Sequence, residues 1–133
     1  MGQHTDTLRQ GYEAYGRGDL DAAAEAWHDD IRWEGTNSTR IPGGGVREGT
    51  DAVKQSLVEL VQSFDDFAVS PDEFIEQDDT VVVLGHSEGT VRGGDRIKVP
   101  FVHIFRFRDG KAERVQVLTD TAVVAEALEK AGQ

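Results

Sequence analysis

The sequence contains no cysteine among its 133 residues. It therefore forms no disulfide, offers no thiolate nucleophile and holds no cysteine-type zinc site. Basic residues are few as well, because 14 lysines and arginines stand against 25 aspartates and glutamates, and the formal net charge is −11. So acidic a surface disfavours nucleic acids and anionic membranes as partners. The missing cysteines fit a cytoplasmic location, which is what we expect.

Long hydrophobic runs are missing too. The longest unbroken apolar stretch, residues 81–84, is far too short to span a membrane. The length fits a single domain over residues 1–133 with one buried core. Hydrophobic residues make up 38% of the chain, which is too many for a disordered protein. The sequence therefore predicts one folded domain.

In the first half of the chain, apolar residues recur mainly at helical spacing. One short stretch alternates as a strand does, and one long stretch rich in glycine follows neither pattern. The predicted elements are a helix through Leu8, Tyr12 and Tyr15, a second helix from the cap Asp19 through Leu20, Ala24 and Trp27, a strand over residues 31–35, an irregular segment over residues 36–49, and a third helix from Thr50 or Asp51 to Phe64.

In the second half the period changes to two, which predicts strands over residues 67–76, 80–92, 96–108 and 111–119. Asp109-Gly110 is a strong signal for a two-residue hairpin turn. Asp120 or Thr121 then caps a closing helix through Leu128. Three helices followed by a meander predict an α+β fold, in which helices lie on one face of a curved antiparallel sheet.

His103 is the first candidate for a functional residue. Strand alternation puts it on one face with Phe101, Phe105 and Phe107, so we expect it to point into the interior. A neutral imidazole can donate a hydrogen bond to a developing enolate or exchange a proton near pH 6.5. The alternative is a core histidine bonded to a backbone carbonyl.

His86 is the second candidate. If the hairpin closes symmetrically about Gly94 and Asp95, His86 lies opposite His103, and the two histidines form an acid–base pair. A register slip of one residue would instead turn His86 to the outer face, at a dimer contact.

Three other features bear on a site. Trp33 offers a flat apolar wall with one N–H donor. Asn37 sits in a polar loop cluster that either orients a ligand or is simply solvated. His28 and the two aspartates after it are consecutive, so they do not converge from one helix face, and we predict no metal site.

Several segments in this order resemble the nuclear transport factor 2-like superfamily, in particular its SnoaL-like and ketosteroid-isomerase-like branch. The resemblance covers about residues 5–130. The matching segments are Tyr15-Gly16-Arg17-Gly18-Asp19, Asp30-Ile31-Arg32-Trp33-Glu34, Arg47-Glu48-Gly49, Val102-His103-Ile104-Phe105-Arg106-Phe107-Arg108-Asp109-Gly110-Lys111, and Asp120.

The resemblance implies a cone-shaped curved sheet with helices on its concave face, enclosing one apolar pocket. It also implies homodimers formed through the outer sheet face, and ligands of polycyclic or terpenoid type. Members include isomerases, polyketide cyclases, dehydratases and epoxide hydrolases that need no cofactor. In this chain Gly35 and Val117 occupy positions where those enzymes carry an acid. The residues expected to line the pocket are Tyr15, Trp33, Asn37, Phe101, Phe105 and Val117.

We therefore predict a domain that binds a small organic molecule in a pocket of roughly 300–1,000 Å³. As an enzyme it would be a cofactor-free isomerase, cyclase or dehydratase, with His103 as acid or oxyanion donor and His86 or a carboxylate at the rim as base. The competing hypothesis is a non-catalytic ligand-binding or dimerisation module, which the residues at positions 35 and 117 favour. An epoxide hydrolase is a lesser alternative.

Overall fold

A computed structural model of the chain describes residues 2–132, in which one six-stranded sheet is covered by helices on its inner face. The elements are α1 (Gln3–Gly16), α2 (Leu20–Ala23) followed by a 3₁₀ turn (Ala24–Ala26), β1 (Trp27–Glu34), β2 (Val46–Glu48), α3 (Thr50–Val61), β3 (Phe64–Gln77), β4 (Thr80–Val91), β5 (Arg96–Arg108), β6 (Lys111–Thr119) and α4 (Thr121–Lys130).

The sheet is curved and open, with the strand order β2-β1-β6-β5-β4-β3. This confirms the α+β class and the cone-like arrangement. The sheet is mixed, however, and not purely antiparallel as predicted, because β1 runs parallel to its neighbour β6. Parallel neighbours need a long connection, and the chain between β1 and β6 supplies it.

Three element boundaries differ from the predictions. The segment predicted to be irregular contains β2, which is only three residues long and pairs with the end of β1. The second helix is shorter than predicted, since Trp27 is the first residue of β1 and pairs with Ala112 in β6. Phe64 belongs to β3 because α3 ends at Val61. A three-residue strand carries too little alternation to be recognised from sequence.

The predicted caps Asp19 and Asp120 and the last hairpin turn are confirmed. The side chain of Asp19 accepts a hydrogen bond from Ala22 N–H at 3.0 Å, and Asp120 accepts one from Val123 N–H at 3.2 Å. At the turn between β5 and β6, φ is +52° at Asp109 and +81° at Gly110. Two positive φ values in succession are what a tight hairpin turn with the native twist requires.

The N-terminus of α1 is fixed by a residue far away in sequence. The backbone N–H and the hydroxyl of Thr5 both donate to Oε1 of Glu76 in β3, at 2.8 and 2.6 Å. Gly2, the N-cap residue, contributes no side-chain hydrogen bond. A carboxylate near a helix N-terminus satisfies free N–H groups and complements the helix dipole. Thr5 itself lies inside α1, because the helix begins at Gln3.

The buried side chains form two hydrophobic clusters. The larger one lies under α1, around the inner face of β1, β4, β5 and β6, and includes Trp27, Trp33, Phe101 and Phe105. The smaller one lies where α4 meets the ends of β3, β4 and β5. No helix within the described residues is long and apolar enough to cross a membrane.

Candidate functional site

A cavity of about 160 Å³ lies between the inner face of the sheet and the helices. Residues from both hydrophobic clusters contribute to its wall, so the cavity separates the two clusters. Its volume is below the predicted range. The wall is almost entirely apolar and aromatic, which is typical of a site for a small organic molecule.

His103 and Tyr12 meet on this wall. Strand alternation turns His103 inward, and the helical spacing of α1 turns Tyr12 toward the sheet. Tyr12 Oη lies 2.6 Å from His103 Nδ1. The other ring nitrogen, Nε2, has no hydrogen-bond partner within residues 2–132, and it keeps some exposed surface. Since His103 is part of the wall, its Nε2 is open to the cavity.

Neighbouring rings hold this pair in position. The Phe101 ring stacks on His103, with centroids 4.0 Å apart and an interplanar angle of 16°. Phe74 and Phe105 contact the Tyr12 ring edge-on, at 6.0 and 6.2 Å. Aromatic pairs in these geometries contribute about 0.5–1.5 kcal/mol each beyond the area they bury. The Tyr12–His103 pair is therefore part of a rigid aromatic cluster.

Burial keeps this part of the wall uncharged. It lowers the pKa of His103 to about 3, so the imidazole is neutral at neutral pH. It also raises the pKa of Tyr12 well above its ordinary value of 10, and that of Tyr15 to about 12. Both phenols thus keep their protons.

Eight more residues of the cavity wall have polar side chains: Tyr15, Trp27, Trp33, Thr36, Ser56, Ser87, Glu88 and Thr119. The hydroxyl of Tyr15 and the indole N–H groups of Trp27 and Trp33 have no hydrogen-bond partner within residues 2–132, and none of these three atoms is fully buried. The two indoles pack at an angle of 60° with centroids 5.9 Å apart.

Carboxylates are scarce on the wall. Of the described residues that line the cavity, only Glu88 carries one, and it pairs with Arg96 at 3.2 Å. Val117 lies on β6 directly opposite His103, and Gly35 lies at the end of β1 on the cavity wall. Neither of these two positions supplies an acid or base to His103.

Six of the eight residues named from sequence come together at this cavity. They are Tyr15, Trp33, Phe101, His103, Phe105 and Val117. Asn37 does not join them, since it is exposed in the loop after β1. The same loop does reach the cavity, but through the apolar side of Ile41, Pro42 and Gly43.

The prediction that His86 faces His103 is wrong. In the β4–β5 hairpin Val83 pairs with His103, and His86 pairs with Pro100. The turn is centred on Gly93, whose φ is +72°, and not on Gly94 and Asp95. The pairing is thus displaced by an odd number of residues, which turns His86 to the outer face. There its Nδ1 lies 3.0 Å from the Asp72 carboxylate.

Tyr12 is the site residue that the sequence analysis missed. Its position on one helix face with Leu8 and Tyr15 indicated burial but not its partner, which is 91 residues away. The segment between β1 and β2 was also undervalued. It is held to α4 by a two-fold ion pair between Arg40 and Glu129, and to α3 by a hydrogen bond from the Ser56 hydroxyl to the Gly43 carbonyl.

No three His, Asp or Glu side chains within residues 2–132 come together in a set that could hold a metal ion. The cavity wall offers no such set either. Its chemistry is therefore that of aromatic faces and a few uncharged polar groups.

Comparison with known proteins identifies the fold and a family. A family model described as the SnoaL-like domain matches residues 8–115. A nuclear transport factor 2-like protein of unknown function from Burkholderia pseudomallei is 31% identical, with 96% of this chain and 98% of that chain covered and a TM-score of 0.90. No curated protein matches the chain.

Two further structures are similar. TerC, crystallised with polyporic acid, is 29% identical over 96% of this chain and 99% of its own, with a TM-score of 0.89. A candidate SnoaL-like polyketide cyclase from Jannaschia is 21% identical over 95% of this chain and 91% of its own, with a TM-score of 0.82. At that identity the second likeness concerns the fold alone.

Proposed function

Because the chain belongs to the SnoaL-like domain family, we propose that it binds a small, flat, hydrophobic molecule with an oxygen substituent in the cavity beside His103. The observation that carries this proposal is the open Nε2 atom of His103 on a wall that is otherwise mostly apolar. A ligand placed there would bury its rings against the aromatic residues and direct one polar group toward the imidazole. We expect the protein to act in the cytoplasm.

The composition of the wall limits the chemistry of this ligand. Phe101, Phe105 and the two tryptophans offer ring faces, which favour aromatic or polycyclic skeletons. The imidazole is neutral, and the Glu88 carboxylate is already paired with Arg96. The affinity for such a ligand therefore comes from the ring faces and the uncharged polar groups of the wall.

A related structure supports the choice of an aromatic ligand. TerC, which is 29% identical to this chain, was crystallised with polyporic acid. Polyporic acid is thus a suitable first probe for the cavity described above. The similarity covers 96% of this chain, and the described cavity lies within it.

Catalysis is a second candidate function, favoured by the position of His103 in the cavity. A neutral imidazole can stabilise a developing oxyanion by a hydrogen bond, which supports isomerisation, cyclisation or dehydration without a cofactor. A pKa of about 3 makes His103 a weak base and leaves almost none of it protonated at pH 7. His86 points away, and no unpaired carboxylate of the described wall can serve as the base. Binding without turnover is therefore the better supported of the two.

The test is a titration with polyporic acid in which binding is monitored by tryptophan fluorescence, since both tryptophans of the chain line the cavity. We expect saturable quenching. His103→Phe keeps an aromatic ring but removes the hydrogen bond, and should weaken binding about fivefold to tenfold. His86→Phe is the matched control on the outer face and should leave the affinity unchanged.

Two results would contradict the proposal. One is the absence of saturable binding by the folded wild-type protein. The other is equal affinity of the wild-type protein and the His103→Phe variant. Circular dichroism and urea unfolding should accompany the titration, because the substitution also leaves the Tyr12 hydroxyl without its partner.

We also propose that the protein forms a homodimer through the outer face of the sheet. Apolar side chains on four adjacent strands lie next to one another there, and two of them are unusually exposed: Ile75 at 48% and Leu118 at 54%. Contiguous apolar patches of this kind are typical of protein interfaces. The patch consists of Ile75, Val82, Leu84, Val102, Ile104 and Leu118.

Sedimentation analysis tests this dimer. The wild-type protein should sediment as a dimer at micromolar concentration. Leu118→Glu places a charge in the patch and should give monomers, whereas Val123→Glu should not, since Val123 is exposed on α4. A wild-type monomer, or dissociation by both substitutions alike, would exclude the outer face as the interface.

A further inference from the structure

We propose that Tyr12 fixes His103 in the tautomer that carries its proton on Nε2, so that the position beside His103 selects hydrogen-bond acceptors of a ligand and rejects donors. This inference rests on the proposed function for its ligand, but the tautomer itself does not. Tyr12 would then be a positioning residue, which determines specificity through its hydrogen bond to His103.

The first step concerns the Tyr12 hydroxyl. Its oxygen lies 2.6 Å from His103 Nδ1, and no other group within residues 2–132 bonds to it. A hydroxyl has one proton to donate, and the aromatic rings around Tyr12 offer no acceptor. If Nδ1 carried the proton, it would donate to the Tyr12 oxygen and leave the hydroxyl proton unpaired. Only the tautomer protonated on Nε2 lets the hydroxyl donate to Nδ1.

The second step concerns charge. Burial lowers the pKa of His103 and raises that of Tyr12, so the pair is an imidazole and a phenol. An imidazolium would have no lone pair on Nδ1 to receive the hydroxyl proton. No described carboxylate pairs with the ring either, since the residues packed on it are Phe101, Phe105 and Tyr12. The neutral imidazole therefore presents one N–H to the cavity.

The third step counts the other polar groups of the wall. Trp27 and Trp33 have indole N–H groups, which are donors only, and neither has a partner within the described chain. Two of the side-chain acceptors are used or shielded, whereas the hydroxyls of the wall residues Tyr15, Ser56, Ser87 and Thr119 can accept as well as donate, so the polarity inferred here is that of the position beside His103. The Glu88 carboxylate is paired with Arg96. The Thr36 hydroxyl oxygen is buried away from the cavity surface.

The consequence is a single hydrogen-bonding polarity at the position beside His103. A carbonyl, quinone or enolate oxygen placed beside His103 accepts a hydrogen bond from Nε2–H. An amine, amide or indole N–H in the same place faces another donor and loses its bond to water without replacement. The ligand is therefore a flat molecule whose inner end carries an oxygen acceptor and no donor.

The tautomer can be measured directly. Long-range ¹H–¹⁵N correlation spectra distinguish a protonated ring nitrogen from an unprotonated one. We expect His103 to show Nε2 protonated and Nδ1 unprotonated in the ligand-free protein. Tyr12→Phe should produce a mixture of the two tautomers, and Tyr15→Phe should leave the spectrum of His103 unchanged. A proton on Nδ1 in the wild-type protein would overturn the proposal.

The selectivity is measured with three probes of similar size: 1-tetralone, which offers a carbonyl acceptor, indole, which offers an N–H donor, and naphthalene, which offers neither. In calorimetric titrations, the wild-type protein should bind 1-tetralone with about fivefold higher affinity than naphthalene, and indole with lower affinity than naphthalene. In Tyr12→Phe, the difference between 1-tetralone and indole should become at least fivefold smaller, because Nδ1 is then free to take the proton.

The outcomes separate the two proposals. If none of the three probes binds while Nε2 is protonated, the proposed function fails and the tautomer assignment stands. If the probes bind with equal affinity, or if Tyr12→Phe keeps the full preference for 1-tetralone, the inferred selectivity is wrong and the binding function stands. If Tyr12→Phe does not fold, the tautomer and the order of affinities in the wild-type protein still decide.

Discussion

The contact between Glu76 and the N-terminus of α1 leads to a prediction about stability. Glu76→Gln keeps the size and the acceptor oxygen of the side chain but removes its charge. Thr5 is only 1% exposed. Its two hydrogen bonds to Glu76 therefore keep their geometry in the variant but become weaker. The substitution isolates the electrostatic part of this distant cap.

The expected loss follows from two contributions. A hydrogen bond to a charged acceptor is roughly twice as strong as a neutral one, which makes a difference of about 0.5–1 kcal/mol here. Removing a negative charge near a helix N-terminus costs a further amount of about 0.3–1 kcal/mol. We expect Glu76→Gln to lower the free energy of unfolding by about 1–2 kcal/mol at pH 7. With a urea slope of about 2 kcal/mol per M, the midpoint falls by about 0.5–1 M.

The pH dependence gives the sharper test. Burial raises the pKa of Glu76, but the hydrogen bonds from Thr5, together with a smaller contribution from His4, outweigh it, so the pKa in the folded protein lies below its ordinary value of 4.5. A carboxyl with a lowered pKa contributes stability above its unfolded pKa and loses it as the pH falls through the folded value. The difference between wild-type protein and variant should be full at neutral pH and shrink toward zero in acid.

A matched control is available on the same strand. Glu73 is exposed, and its side chain makes no hydrogen bond or ion pair with residues 2–132, so Glu73→Gln should change the free energy of unfolding by less than about 0.5 kcal/mol. The reasoning is refuted if Glu76→Gln and Glu73→Gln have equal effects, or if the effect of Glu76→Gln is the same at pH 7 and in acid.

Three further predictions concern the cavity. Val117→Asp places a carboxylate opposite His103. An NMR titration should show the pKa of His103 raised above about 3, and the free energy of unfolding should fall by about 1–3 kcal/mol. An unchanged histidine pKa would contradict the strand register. Gly43→Ala should cost about 2–3 kcal/mol in urea unfolding, because φ is +82° and the new Cβ would lie 2.3 Å from the Ser56 carbonyl oxygen. Gly45→Ala has a similar φ of +83° but open space and should cost only about 1 kcal/mol, so equal costs would argue against the packed loop. Polyporic acid at a hundred times its Kd should raise the free energy of unfolding by about 2.7 kcal/mol, and no stabilisation at that concentration would mean that it does not bind the folded state preferentially.

Local chemistry explains which parts of the fold were predictable from sequence. The caps at Asp19 and Asp120 and the turn at Asp109-Gly110 depend on neighbouring residues only, so their patterns carried the information. The inward face of β5 was equally clear, because two-residue alternation over Phe101–Phe107 needs no knowledge of the partner strands.

The errors arose where distant parts of the chain determine the outcome. The face of His86 depends on where the β4–β5 turn closes, and Gly93 and Gly94 offered competing positions. The Tyr12–His103 contact requires α1 to be docked on the sheet before it can be seen. The parallel pairing of β1 with β6 likewise depends on how the whole sheet is assembled. Amphipathic patterns identify the buried face of an element but not its neighbour.

The position of β1 between β2 and β6 also constrains how the protein is made. On the ribosome, β1 emerges early, yet its pairing residues Ala112–Gln116 in β6 are synthesised some 80 residues later. Until then β1 has only the three-residue β2 beside it, and Trp27 and Trp33 have no sheet to pack on. Both tryptophans therefore lack the neighbouring strand β6 through most of translation. Their fluorescence in stalled chains of increasing length should change late, once β6 has left the exit tunnel.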